Sequence, residues 1–147
     1  MDFDTKVKLH IYETIAHTAQ APTKHEVAEA LHVSSEEVQT AFLNLHKKKL
    51  LVPEPNDATR IRMAPPFSGI ATAFRVRVQD KTYYANCSWD ALGIPAALHE
   101  DAIIEAEDGH TLEPILLEVK QDEPVDAACV FHFAVPAAKW WDDIIYT

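Results

Sequence analysis

Phe74-Arg75-Val76-Arg77-Val78-Gln79-Asp80-Lys81-Thr82-Tyr83-Tyr84-Ala85 is the stretch whose reading decides the fold. Apolar and polar side chains alternate on either side of Gln79-Asp80-Lys81, the pattern of two strands joined by a short hairpin. Directly after it, residues 88–98 read as a helical stretch broken by Gly93 and Pro95. Two more strands, 102–106 and 114–119, lie around Asp108-Gly109, a favoured two-residue turn pair. Residues 127–135 are almost wholly apolar and read as a central strand, stopped by Pro136 and followed by a helix over 137–146.

Toward the N-terminus the period changes from two to nearly four. Val7, Ile11 and Ile15 fall on one helical face. Thr23 has Glu26 three residues on, a capping-box signature, and Val27 and Leu31 give the following helix its apolar stripe. Ser34 or Ser35, with Glu37 in reach, opens a third helix striped by Val38, Phe42 and Leu45. Leu50-Leu51-Val52 and Arg60-Ile61-Arg62 read as the two strands of a wing. The expected fold class is α+β: a winged-helix-like three-helix module over 1–64, then an antiparallel sheet with flanking helices over 65–147. Two prolines and a glycine in Met63-Ala64-Pro65-Pro66-Phe67-Ser68-Gly69 mark the division.

The chain has 147 residues, 13 Lys+Arg against 23 Asp+Glu and a formal net charge of -10. A chain of that size can bury a core without disulfides or metals, and its two cysteines, Cys87 and Cys129, read as free thiols of a cytoplasmic protein. No apolar run approaches the ~20 residues of a membrane span, and Met1-Asp2-Phe3-Asp4 lacks a secretory signal's basic start. Negative charge opposes both nucleic acid and an anionic membrane. The helical module is no exception, because the third helix opens with Ser34-Ser35-Glu36-Glu37, where a DNA reader needs groups that welcome phosphate. Its one basic run, Lys47-Lys48-Lys49, lies at the other end. No nucleic-acid or membrane partner is expected. The helical module's five histidines, His10, His17, His25, His32 and His46, are spaced so as to suggest no shared ligand site.

The chemistry gathers at two thiols. In Tyr84-Ala85-Asn86-Cys87-Ser88-Trp89-Asp90 a cysteine ends a strand and opens a helix, where backbone N–H groups and the helix dipole favour thiolate. Asp90 falls on the same side of the first turn and can carry a proton while sulfur holds a soft atom. The plainer alternative makes Cys87 a small packed residue and Asp90 a cap of the helix N-terminus. The second thiol lies in Cys129-Val130-Phe131-His132, which reads equally as buried strand packing. Cys87-x-x-Asp90 and Cys129-x-x-His132 together offer four zinc ligands, although a single strand splays Cys129 and His132 onto opposite faces. No cofactor is expected.

Cys87-Ser88-Trp89-Asp90-Ala91-Leu92-Gly93-Ile94-Pro95-Ala96 resembles the first active-site segment of the organomercurial (alkylmercury) lyases: a Cys-x-x-Asp, an apolar residue, then a proline and small residues. Val130-Phe131-His132-Phe133, Val135-Pro136 and Trp140-Trp141 are similar to that family's second motif. The likeness covers nearly the whole chain, most specifically 74–99 and 127–141, and residues 5–64 match a winged-helix-like module that does not read DNA. It implies protonolysis of a carbon–mercury bond, with Cys87 and a second cysteine as mercury ligands and Asp90 as proton shuttle. Mercury is soft, so thiolate is the ligand class that seizes it. The family carries two adjacent cysteines before the histidine segment, the first of them catalytic. Counted back from His132-Phe133, that position is Ala128 here, and Cys129 matches its neighbour. Strand neighbours face opposite ways, so Cys129 serves as second ligand only through a bulge or twist.

Three functions follow. The first is a lyase acting on an organomercurial, yielding Hg(II) with small-molecule or protein thiols as partners, its site built on Cys87, Asp90 and Cys129. The second is a relative that binds mercury or copper through thiol without turnover, to which Ala128 points. The third is a helix-turn-helix regulator with a ligand-sensing C-terminal domain. The resemblance also implies that relatives run on through another strand beyond Trp140-Trp141-Asp142-Asp143-Ile144-Ile145-Tyr146-Thr147, so the chain is expected to be short or cut off there.

Overall fold

The computed structural model describes residues 1–125, 128 and 130–146. Three helices come first. Helix α1, Phe3–Thr18, is capped by Asp2, whose carboxylate accepts from the Thr5 amide at 2.9 Å, and buries Val7, Ile11 and Ile15. Helix α2, Lys24–Leu31, starts in the capping box of Thr23 and Glu26. Helix α3, Ser35–Lys47, starts in that of Ser34 and Glu37 and buries Val38, Ala41, Phe42 and Leu45. Each cap satisfies N–H groups that a helix start otherwise leaves unpaired. Helices α1, α2 and α3 pack on one another around these apolar faces.

An antiparallel sheet follows in the order β1-β2-β3: β1, Val52–Glu54; β2, Asp57–Ala64; β3, Phe67–Ser68. Val52 pairs with Met63, while Ala64 pairs with Phe67 across the cis Pro65-Pro66 bond. The second sheet is antiparallel in the order β5-β4-β6-β7-β8, with β4, Arg75–Val78; β5, Lys81–Tyr84; β6, Ala102–Glu107; β7, Pro114–Lys120; and β8, Glu123–Val125. An isolated antiparallel bridge, Phe67 to Ala85, joins the two sheets. Helix α4, Ser88–Leu98, links β5 to β6 and lays Ala91, Ile94 and Pro95 over the sheet, whose inner face carries Val76, Ile104 and Leu117. Most of the buried apolar residues form one cluster running from Val7 to Val119. This α+β arrangement is the one the sequence predicts.

Four local expectations need correction. Helix α4 is unbroken, because Gly93 and Pro95 are held in helical geometry by its packed face. Asp108-Gly109 does not form a two-residue turn. Glu107 pairs with Pro114, so the loop spans 108–113, organised by the Asp108 carboxylate, which accepts from the His110 and Thr111 amides. No glycine has positive φ, so Gly109 does not supply the left-handed residue such a turn demands. The apolar run 127–135 is not a central strand in any residue described: Ala128 and 130–135 lie outside the sheet, and Val130 is 92% exposed. Residues 137–146 form only a 3-10 helix over Ala137–Asp142.

Helices α1, α2 and α4 end in the left-handed conformation at Ala19, His32 and His99, with φ of 57, 54 and 55°. No helix of the described residues is long and apolar enough to cross a membrane.

Candidate active site

Ala85 is fixed before the chain reaches the thiol. Its amide donates to the Phe74 carbonyl at 3.0 Å, its carbonyl accepts from the Thr72 hydroxyl at 2.7 Å, and it bridges to Phe67. Two residues later Cys87 occupies the N-cap of α4 in extended conformation, and its carbonyl accepts the first helical hydrogen bond, from the Ala91 amide. A strand end pinned on three sides thus places the sulfur at the helix start.

Cys87 is half-buried. Its side chain makes no capping hydrogen bond of ordinary geometry. Burial, the largest influence, pushes the thiol pKa up. The Asp90 amide lowers it, the Asp90 charge raises it, and the Trp89 amide lowers it again. The thiolate expected from the helix start is therefore not the favoured form, because desolvation outweighs the amides. Asp90, on the same turn, is also half-buried, and burial pushes its carboxyl up as well, opposed by a hydrogen bond from Asn86. Both groups hold a proton more tightly than they would in water.

The Asn86 side-chain amide donates to Asp90 Oδ2 at 2.8 Å and to the Phe67 carbonyl at 3.3 Å, and lies 3.5 Å from the Pro66 carbonyl. Tyr12, from α1, donates its hydroxyl to the Pro65 carbonyl at 2.8 Å. Burial, and next the charge of Asp90, push that hydroxyl up to about 12. Tyr12 also meets the Phe67 ring edge-on, with centroids 6.2 Å apart.

Cys87 and Asp90 share a cavity of about 400 Å³. Trp89, Phe133, Trp140 and Trp141 supply aromatic walls, while Lys49, Arg62 and Asn86 supply polar ones. A second cavity, of about 370 Å³, also touches Cys87 and brings in Phe74, His132 and Val135. A cavity of about 580 Å³ over the sheet, lined by Leu92, Ile104, Leu117 and Phe131, contains neither Cys87 nor Asp90.

Of the residues singled out from the sequence, Cys87 and Asp90 come together. Cys129 lies outside the described residues, and with it the zinc set. Ala128 is described and exposed. Among the described residues, no group of three or more His, Cys, Asp or Glu is placed to hold a metal ion. Sequence reasoning missed Asn86 and Tyr12. Asn86 carries a weak signal, a polar side chain beside the cysteine, but the partner of Tyr12 lies 53 positions away and no local spacing reports it.

Residues 67–147, more than half of the chain, match the sequence profile of the family described as MerB, alkylmercury lyase. The chain belongs to the alkylmercury lyase family. Among solved structures similar to this chain is the mercury-bound form of MerB2, with a TM-score of 0.63 and 24% sequence identity. The match covers 82% of this alkylmercury lyase family member and 59% of the MerB2 chain, so the present chain spans about three-fifths of that protein's length. The likeness speaks for a common fold of N-terminal helices followed by antiparallel sheets. No curated protein matches the sequence.

Proposed function

We propose that this protein cleaves carbon–mercury bonds by protonolysis, with Cys87 as mercury ligand and Asp90 as proton shuttle. The observation that carries the reading is the shared cavity: a thiol and a carboxyl one turn apart, each binding a proton more tightly than in water, facing aromatic walls that suit an organic group on mercury. Cys87 first displaces the solution thiol of the substrate, leaving an R–Hg–S adduct and returning its proton as that thiol leaves. A free thiol then coordinates mercury and gives its proton to Asp90, which passes it to carbon. The electron pair of the C–Hg bond stays with carbon, RH departs, and Hg(II) remains between two sulfurs, with no change of oxidation state. Charge is balanced because metal-bound thiols release protons, and transfer through a positioned carboxyl is general acid catalysis.

Substrate, Hg(II) and thiols are the partners this reading requires, in a cytoplasmic setting. The opening of α3 supports a module that does not read DNA, because Glu37 is engaged in its own capping box beside Glu36. Cys129 is the candidate within the chain to take the place of that free thiol as second ligand. The exposed Ala128, at the position the family likeness gives to its second catalytic cysteine, favours one other reading: binding of mercury without turnover.

The test is benzene release from phenylmercury with excess free thiol. Catalytic release that disappears in Cys87→Ser and in Asp90→Asn supports the lyase. Stoichiometric mercury binding with no benzene supports the second reading.

A further inference from the structure

The segment Pro65-Pro66-Phe67 is gripped from two sides. From one, the α1 residue Tyr12 hydrogen-bonds the Pro65 carbonyl at 2.8 Å and packs its ring against Phe67. From the other, the Asn86 amide donates to the Phe67 carbonyl while donating to Asp90 at 2.8 Å. One turn further along α4, Gly93 lets the helix lie against Pro66: a Cβ there would sit 3.0 Å from the Pro66 Cβ. Helix α4 is thereby fixed to the segment at two successive turns, and the segment is fixed to α1.

We propose that Asn86 is the positioning residue for Asp90, and that the three-helix module acts, through Tyr12 and residues 65–67, as the rigid anchor against which Asn86 aims that carboxyl. The inference rests on the lyase reading of the site. An amide NH2 offers two protons. With one directed to the Phe67 carbonyl and the other to Asp90 Oδ2, the carboxyl loses its freedom to turn and presents its other oxygen to the cavity. Mis-aiming a reacting group by about an ångström costs on the order of 100-fold in rate. Tyr12 does not line the cavity that holds Cys87 and Asp90, so helix α1 has a catalytic consequence without touching substrate.

The experiment compares wild type, Asn86→Asp, Asn86→Ala and Tyr12→Phe as full chains. Asn86→Asp keeps the shape and removes the donor. Expected are a fall in kcat for benzene release of about 10- to 100-fold in both Asn86 variants and a several-fold fall in Tyr12→Phe. KM should stay within about twofold, and one Hg(II) should still bind per Cys87. A kcat within about twofold of wild type in both Asn86 variants overturns the inference while leaving the lyase reading intact. A wild type that releases no benzene fails the lyase reading instead, and the clamp is then read from the side-chain amide NMR signals of Asn86. Those signals should move in Asp90→Ala and in Tyr12→Phe; signals unmoved in both variants would overturn the clamp on their own.

Discussion

The hydroxyl of Tyr83 donates to the carbonyl oxygen of Ala16 at 2.7 Å, across 67 positions of sequence. Ala16 lies in the last turn of α1, where carbonyls have no partner within the helix. Tyr83, only 3% exposed on β5, supplies the missing donor and ties the hairpin before Cys87 to the helical module. Tyr83→Phe keeps the ring and strands the acceptor. The expected loss is about 1–3 kcal/mol of unfolding free energy, measured by urea denaturation, and an unchanged midpoint would refute this role.

Cys87 should behave as a reluctant nucleophile. In a Cys129→Ala background its alkylation by iodoacetamide should rise with pH to a midpoint above the ordinary thiol value of 9.0. Because the Asp90 charge contributes to that elevation, Asp90→Asn should move the midpoint down. A midpoint below 9.0 in the parent would mean that the helix amides prevail over burial after all.

Asp90 gives a dependence of stability on pH whose sign is fixed. Its folded pKa lies above the usual 3.8, so the folded state binds the proton more tightly than the unfolded chain does. That stabilisation is fully present below the unfolded value and is lost as pH rises through the folded one. Asp90→Asn should flatten this segment of the curve and gain stability relative to wild type at neutral pH. Parallel curves for the two proteins, from thermal unfolding at a series of pH values, would contradict the assignment.

The two loop glycines should respond oppositely to alanine. At Gly69 a Cβ would lie 1.9 Å from the Ile61 carbonyl oxygen, so β2 and the turn after β3 must separate. Overpacking of this kind costs about 1–3 kcal/mol, and activity should fall with it because β2 leads into residues 65–67. At Gly109 nothing lies within 4 Å and φ is not positive. Gly109→Ala should therefore be neutral or stabilising by up to about 1 kcal/mol. Matched melting curves would decide both.

What the sequence makes legible is what is local. Thr23 with Glu26 and Ser34 with Glu37 announce helix starts because both partners of a capping box sit within four residues. Alternation over 74–85 announces a hairpin, since its two strands are sequence neighbours. Cys87 and Asp90 are likewise one turn apart. The misreadings have the opposite character. An almost wholly apolar run at 127–135 looks like a strand buried on both faces, yet Val130 and Phe133 are exposed, and among the described residues the last strand of the sheet is Glu123–Val125. Hydrophobicity states a preference for burial but not the partner that would provide it. Tyr12 and Pro65 meet only through the tertiary fold, and so does the pairing of Asn86 with the Phe67 carbonyl.

The left-handed residues that end α2 and α4 have a practical meaning for anyone who would rebuild this protein. His32 and His99 are exposed side chains in a conformation that disfavours any residue with a Cβ by roughly 1–2 kcal/mol. His32→Gly and His99→Gly should each raise the melting temperature without approaching the cavity. Combined, they would give the scaffold spare tolerance, so that disruptive changes around Cys87 could be explored in a protein that still folds.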